Sequence, residues 1–131
     1  MPTFKHFEEI IAWQLARELS IEVHRIATET RLARDFKLRD QICDSSESIG
    51  SNIAEGFGRS GNAEFVHFLL IARASCTETQ SHLYAVLDRQ YINQAEFARI
   101  NHLAERTGKA IFKLIDYLQN SGIKGVRFRK R

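Results

Sequence analysis

Asn93-Gln-Ala-Glu96-Phe97-Ala-Arg-Ile100-Asn-His-Leu-Ala104-Glu-Arg-Thr107-Gly-Lys-Ala-Ile111-Phe-Lys-Leu114-Ile-Asp-Tyr-Leu118-Gln-Asn-Ser121-Gly122 decides the fold class of this chain. Phe97, Ile100, Ala104, Thr107, Ile111, Leu114 and Leu118 alternate steps of three and four without a miss, which places them all on one face of an α-helix. Asn93 stands three residues before Glu96, a capping box with Asn in place of Ser or Thr. Ser121-Gly122 supplies the stop. An isolated amphipathic helix leaves such a stripe wet, so the remaining chain is expected to cover it.

Three upstream segments carry the same period, and none carries a sustained strand alternation. The first runs from about Phe7 to Thr30, with Ala12, Ala16, Leu19, Val23 and Ile26 on one face and Glu8 and Glu9 in its first turn, where negative charge suits the helix dipole. The second runs from about Asp35 to Glu55 on a thin stripe of Leu38, Ile42, Ser45 or Ser46, Ile49 and Ile53. Its many Gly and Ser residues are mediocre helix formers, but they let a neighbouring helix approach closely. The third starts near Asn62, read as an N-cap with Glu64 in the first turn. Its stripe is Phe65, Phe68, Leu69, Ala72, Cys76, Thr79, Leu83 and Leu87, and Val66, Leu70 and Ala74 widen the apolar surface enough to suggest burial against another subunit. Short connections near 31–34, 56–61 and 88–92 make consecutive helices antiparallel. The expected fold is all-α, an up-down-up-down antiparallel four-helix bundle over residues 1–123 with a basic tail at 124–131.

A chain of 131 residues that is 44% hydrophobic and 27% charged suits one globular domain. No apolar run approaches the roughly 20 residues that cross a bilayer, and the first residues lack the order of a signal peptide. Cys43 and Cys76 fall in helical patterns without CxxC spacing, as expected of reduced thiols in a cytoplasmic protein. The formal charge of +3 is unevenly placed: Lys124-Gly-Val-Arg-Phe-Arg-Lys-Arg131 holds five basic groups and no acid, which leaves −2 for residues 1–123. The basicity is a tail property.

Gly56-Phe57-Gly58-Arg59-Ser60-Gly61 satisfies GxGxxG, but a dinucleotide fingerprint must follow a strand, and Ser51-Asn-Ile-Ala-Glu55 before it is helical. It reads instead as a helix stop, with Gly56 or Gly58 free to take positive φ. Glu64-Phe-Val-His67 is one half of a bundle di-metal motif with no second half, and the five histidines show no ligand pair on one helix. The serines of the second segment have no His or Asp at a suggestive spacing, so helix packing explains them better than nucleophilic chemistry. No cofactor, metal or catalytic residue is expected. Two features remain. Asn52, Glu55, Arg59, Glu64, Arg73 and Glu78 flank the second and third helices as a candidate recognition surface, with Glu55 unfavourably placed at a helix C-terminus unless Arg59 or Arg73 compensates it. Lys124, Arg127, Phe128, Arg129, Lys130 and Arg131 form a candidate nucleic-acid tail, in which cations neutralise phosphates and the aromatic stacks on an unpaired base. A turn-fixing network and a solubilising terminus are the plainer readings of the two.

Gln41-Ile42, then Ser48-Ile49-Gly-Ser51-Asn52-Ile53-Ala54-Glu55-Gly56-Phe57-Gly58-Arg59, then Glu64-Phe65, Phe68-Leu69, Ile71-Ala72-Arg73-Ala74-Ser75 and Glu78, with an early Trp13, closely resemble the signature of a bacterial family. Its members are four-helix-bundle proteins encoded in 23S rRNA intervening sequences, also labelled a ribosomal-protein-like group. The resemblance covers about 7–120. It implies an up-down bundle, a homopentamer, no enzymatic activity and a link to RNA. It also implies likeness in fold to the accessory variability proteins of diversity-generating retroelements, pentameric barrels that bind nucleic acid and a reverse transcriptase. Cys43-Asp44 stand where the family often has basic residues, which weakens any basic surface on the second helix, and Phe36-Lys37-Leu38 replaces a Phe-Gly-Leu element. The expected function is a non-enzymatic oligomeric adaptor that binds ribosomal or other RNA, or a nucleoprotein, and no membrane. A protein–protein scaffold without nucleic-acid contact is the alternative, and a metal-dependent bundle enzyme is a weaker third.

Overall fold

The structure is a computed structural model that describes residues 4–120. Four helices, α1 (Ile11–Glu29), α2 (Phe36–Phe57), α3 (Asn62–Asp88) and α4 (Gln94–Asn120), follow one another with short links, and the described residues contain no strand. Each helix packs on its sequence neighbours and α1 closes onto α4, so α2 and α4 occupy diagonal corners of the bundle. The expected all-α fold is the observed one. All seven stripe residues of the fourth segment are buried, joined by Ile115, and Asn93 Oδ1 accepts from the Glu96 N–H at 2.8 Å.

The first segment departs from expectation. Phe7–Glu9 forms a separate 3-10 turn, and Ile10 is extended and almost wholly buried, so Glu8 and Glu9 do not cap α1. Core burial of Ile10, with Phe7 edge-on against Trp13 at 5.0 Å, outweighs one more turn of helix. In α2 the small residues act as expected: Gly50 faces Trp13 and Ala16 of α1, and Ser45 and Ser46 are buried. Thr79 Oγ1 lies 2.8 Å from the Ser75 carbonyl, Ser45 Oγ 3.3 Å from the Ile42 carbonyl, and the two hydroxyls share a hydrogen bond at 2.9 Å. Ser48 and Ser75 hydroxyls meet at 2.9 Å. A polar seam therefore joins α2 to α3 inside an otherwise apolar core, with its hydroxyls bonded as buried polar groups require.

At the head of α3 the cap is Gly61, at φ 91°, and not Asn62. Asn62 is the first helical residue, and its Nδ2 reaches across to the Leu118 carbonyl near the end of α4 at 3.2 Å. Positive φ thus falls on Gly61 and not on Gly56 or Gly58. Farther along, Val86 takes the core place expected of Leu87, and Val66 is buried within the subunit. The apolar flank left outside is Leu70 (50% exposed), Ile71 and Ala74.

Candidate functional site

The corner between α2 and α3 holds Asn52, Glu55, Arg59 and Glu64 of the six residues singled out in the sequence, and Arg73 and Glu78 stand farther along α3. Glu55 sits in the last turn of α2, and Arg59 Nη2 bonds its Oε2 at 2.7 Å, four residues away, so a cation offsets the carboxylate at the negative helix end. The Arg59 guanidinium also lies 5.0 Å over the Phe68 ring of α3. Asn52 turns inward and donates to the Ser48 carbonyl at 2.8 Å and to its hydroxyl at 3.0 Å. Glu64 is exposed in the first turn of α3. Arg73 and Glu78 are drawn elsewhere. The Arg73 guanidinium lies 4.9 Å over Phe112 of α4, and Glu78 Oε2 meets His82 Nε2 at 3.2 Å along its own helix. Glu55, Arg59 and Phe68 form one cluster; Arg73 belongs to the α3–α4 groove. The tail residues Lys124, Arg127, Phe128, Arg129, Lys130 and Arg131 lie outside the described residues.

The exposed sides of the two diagonal helices differ in charge, although each helix carries both signs. Asp40, Asp44, Glu47 and Glu55 line the exposed side of α2, opposite its buried stripe. His102, Arg106, Lys109 and Lys113 line the exposed side of α4 at steps of four, three and four. Among the described residues no ion pair engages Arg106, Lys109, Lys113 or Arg73, although Glu105 and Asp116 flank the row on α4. The acidic balance of residues 1–123 therefore conceals a basic face. Its sequence signal was available in the three-and-four spacing of the basic residues, set on the opposite phase from the apolar stripe.

Where α1 meets the start of α4, cations and anions pair closely. Arg25 bonds Glu22 at 3.0 Å and Glu96 at 3.1 Å, and Arg99 bonds Glu22 at 2.7 Å and also Glu96. The Arg99 hydrogen bond, with help from Arg25, holds both carboxyls below the ordinary glutamate range. A second tie joins the α1–α2 link to the α3–α4 link: Asp35 accepts from Tyr91 Oη at 2.8 Å and from Arg89 at 2.6 Å, and both bonds lower its pKa. Burial pushes the Cys76 thiol up to about 11, and Sγ donates to the Ala104 carbonyl at 3.2 Å. Desolvation, then the nearby Glu47 and Asp40, raise Cys43. Neither thiol is in the thiolate form a nucleophile needs.

Glycines of the GxGxxG stretch join helix to helix, with Gly56 inside α2. Among the described residues no group of three or more His, Cys, Asp or Glu converges to hold a metal, and no helix is long and apolar enough to cross a membrane. His67 instead packs edge-on against Phe68 at 5.2 Å. The corner and the α4 face present hydrogen-bonding and cationic side chains at the surface.

No curated protein matches this chain. A solved structure of a protein of unknown function from the S23 ribosomal protein family of Bacteroides thetaiotaomicron VPI-5482 has the same fold, with a TM-score of 0.73 at 24% identity over 80% of this chain and 98% of that one. Residues 8–113 match the family described as 23S rRNA-intervening sequence protein. That match spans the α2–α3 corner and all but the last turns of α4, and the chain belongs to the 23S rRNA-intervening sequence protein family.

Proposed function

We propose that this protein is a non-enzymatic, oligomeric adaptor of the cytoplasm that binds RNA, free or within a nucleoprotein. The observation that carries the reading is a row of cations without ion pairs on the outer face of α4, with five more within eleven residues of its end. A cationic face opposite an acidic one orients a polyanion on one side of the bundle. The family's name, which refers to a 23S rRNA intervening sequence, supports the same ligand class. Assembly is supported by Leu70, Ile71 and Ala74, an apolar strip on the outside of α3 of the kind that marks subunit contacts. The same strip favours the second reading, a protein–protein scaffold with no nucleic acid.

Filter binding to structured ribosomal RNA, across salt, tests the proposal on the full chain and on a chain ending at residue 123. The full chain is expected to bind with little sequence preference and a steep loss of affinity with salt, because each neutralised phosphate contributes a slope of roughly 0.7 to 0.9. Removing the five tail cations lowers both affinity and slope, with helicity unchanged. Light scattering on the same samples is expected to give a homopentamer, five subunits of 15.1 kDa. A full chain that binds no RNA at low salt leaves the scaffold reading, and a monomer mass removes the assembly.

A further inference from the structure

Arg106, Lys109 and Lys113 form a ridge between two grooves. On the α3 side a groove of about 570 Å³ is lined by Arg73, Lys109, Phe112 and Lys113, with Glu105 at its margin. On the α1 side a groove of about 480 Å³ is lined by the same lysines, Arg106 and the apolar Ile10, Ile11 and Leu15. Phe112 is 50% exposed although the Arg73 guanidinium lies 4.9 Å over its ring. The cation–π contact with Arg73 contributes only about 0.5–1 kcal/mol at such an exposed site, and it leaves half of Phe112 in water beside cations without ion pairs. Both features suit a ligand with negative charge along a backbone and flat apolar groups beside it.

We propose that the outer face of α4 is a binding track for single-stranded RNA, in which Arg106, Lys109 and Lys113 hold backbone phosphates and the Arg73–Phe112 pair stacks an unpaired base. This rests on the RNA reading above and names its site on the bundle. Cations at steps of three and four stand about 4.5 and 6 Å apart along the helix axis, a row rather than a point charge. Guanidinium and phenyl planes are the usual platforms for splayed bases, whereas a duplex offers no free base face. The track runs toward the end of α4, so the tail cations from Lys124 onward follow it in the chain. The acidic side of α2, on the diagonal corner, is turned away from such a ligand.

Fluorescence anisotropy with a single-stranded RNA and a duplex RNA of equal length tests this on the full chain. Arg106→Gln with Lys109→Gln and Lys113→Gln removes three track charges. Arg17→Gln with Arg34→Gln and Lys37→Gln removes three exposed charges from elsewhere, each without an ion pair. The track triple is expected to lower single-strand affinity about tenfold or more at low salt and to flatten the salt slope by about 2, roughly 0.7 for each lost phosphate contact. The control triple is expected to change affinity ~threefold or less. Phe112→Ala should weaken the single strand about tenfold and leave the duplex unchanged, as loss of one stacked base predicts. Circular dichroism confirms that each variant keeps its helicity. Equal losses from the two triples would mean that affinity follows net charge, and would overturn the track. So would an unchanged slope in the track triple, or a track triple that alters the oligomer mass, since α4 would then be a subunit contact. In these three outcomes the full chain still binds RNA and the broader reading stands; no binding by the full chain removes both.

Discussion

At Gly56 an added Cβ would lie 2.8 Å from Phe68 Cβ and 3.0 Å from Phe65 Cδ1, both on α3. Neither neighbour is the free end of a flexible side chain, so α2 and α3 must separate to admit a methyl group. At Gly58 the same Cβ would come no closer than 3.5 Å to anything, and the residue is exposed. Gly56→Ala is therefore expected to lower stability by about 1–3 kcal/mol in urea denaturation, while Gly58→Ala changes it by about 0.5 kcal/mol or less. Equal effects would place the requirement in backbone freedom instead of contact. This distinction was not readable from the sequence, where Gly56 or Gly58 was the expected site of positive φ in the helix stop. Only the packed partner reveals that Gly56 is needed for space and Gly61 for its φ of 91°. Asn62 is a similar case: a local cap was the natural expectation, and a carbonyl 56 residues away takes its side chain instead.

The helices themselves were readable because their information is local. Periodicity placed α4 from Phe97 to Leu118, and Asn93 capped it as its spacing to Glu96 foretold. Even the Gly/Ser-rich α2 followed, since Ser45 and Ser48 have hydroxyl partners on α3. Pairing between helices was not readable. Glu22 and Arg99 are 77 residues apart, and no local rule joins them. Their network makes a prediction at this scale. Glu22 and Glu96 have folded pKa values below the ordinary glutamate range, chiefly through Arg99. A carboxyl of this kind adds stability that is complete above its unfolded pKa and is lost as pH falls through the lower folded value. Glu22→Gln should accordingly cost about 1 kcal/mol at neutral pH, the scale of a partly exposed ion-pair network. The gap between variant and parent should close in acid, below the folded pKa. Urea melts at both pH values check this, and a gap of the same size in acid would show that the carboxylate charge is not its source.

For the whole molecule, net charge was the misleading quantity. Residues 1–123 sum to −2, yet Asp40, Asp44 and Glu47 lie on the exposed side of α2 and Arg106, Lys109 and Lys113 on that of α4, the diagonal helix. A sum cannot carry that information; helical phase can, once the bundle says which helices face apart. In the proposed reading, the α4 face and the tail that follows it in the chain would hold RNA, and the side of α2 that carries Asp40, Asp44 and Glu47 would repel it. Ultraviolet cross-linking of the full chain to single-stranded ribosomal RNA, read out by mass spectrometry of the attached peptides, tests that arrangement most directly. Cross-links are expected within residues 105–131, centred on Phe112 and the basic tail, with residues 40–55 free of them. Cross-links centred on 40–55, or none at low salt, would contradict it.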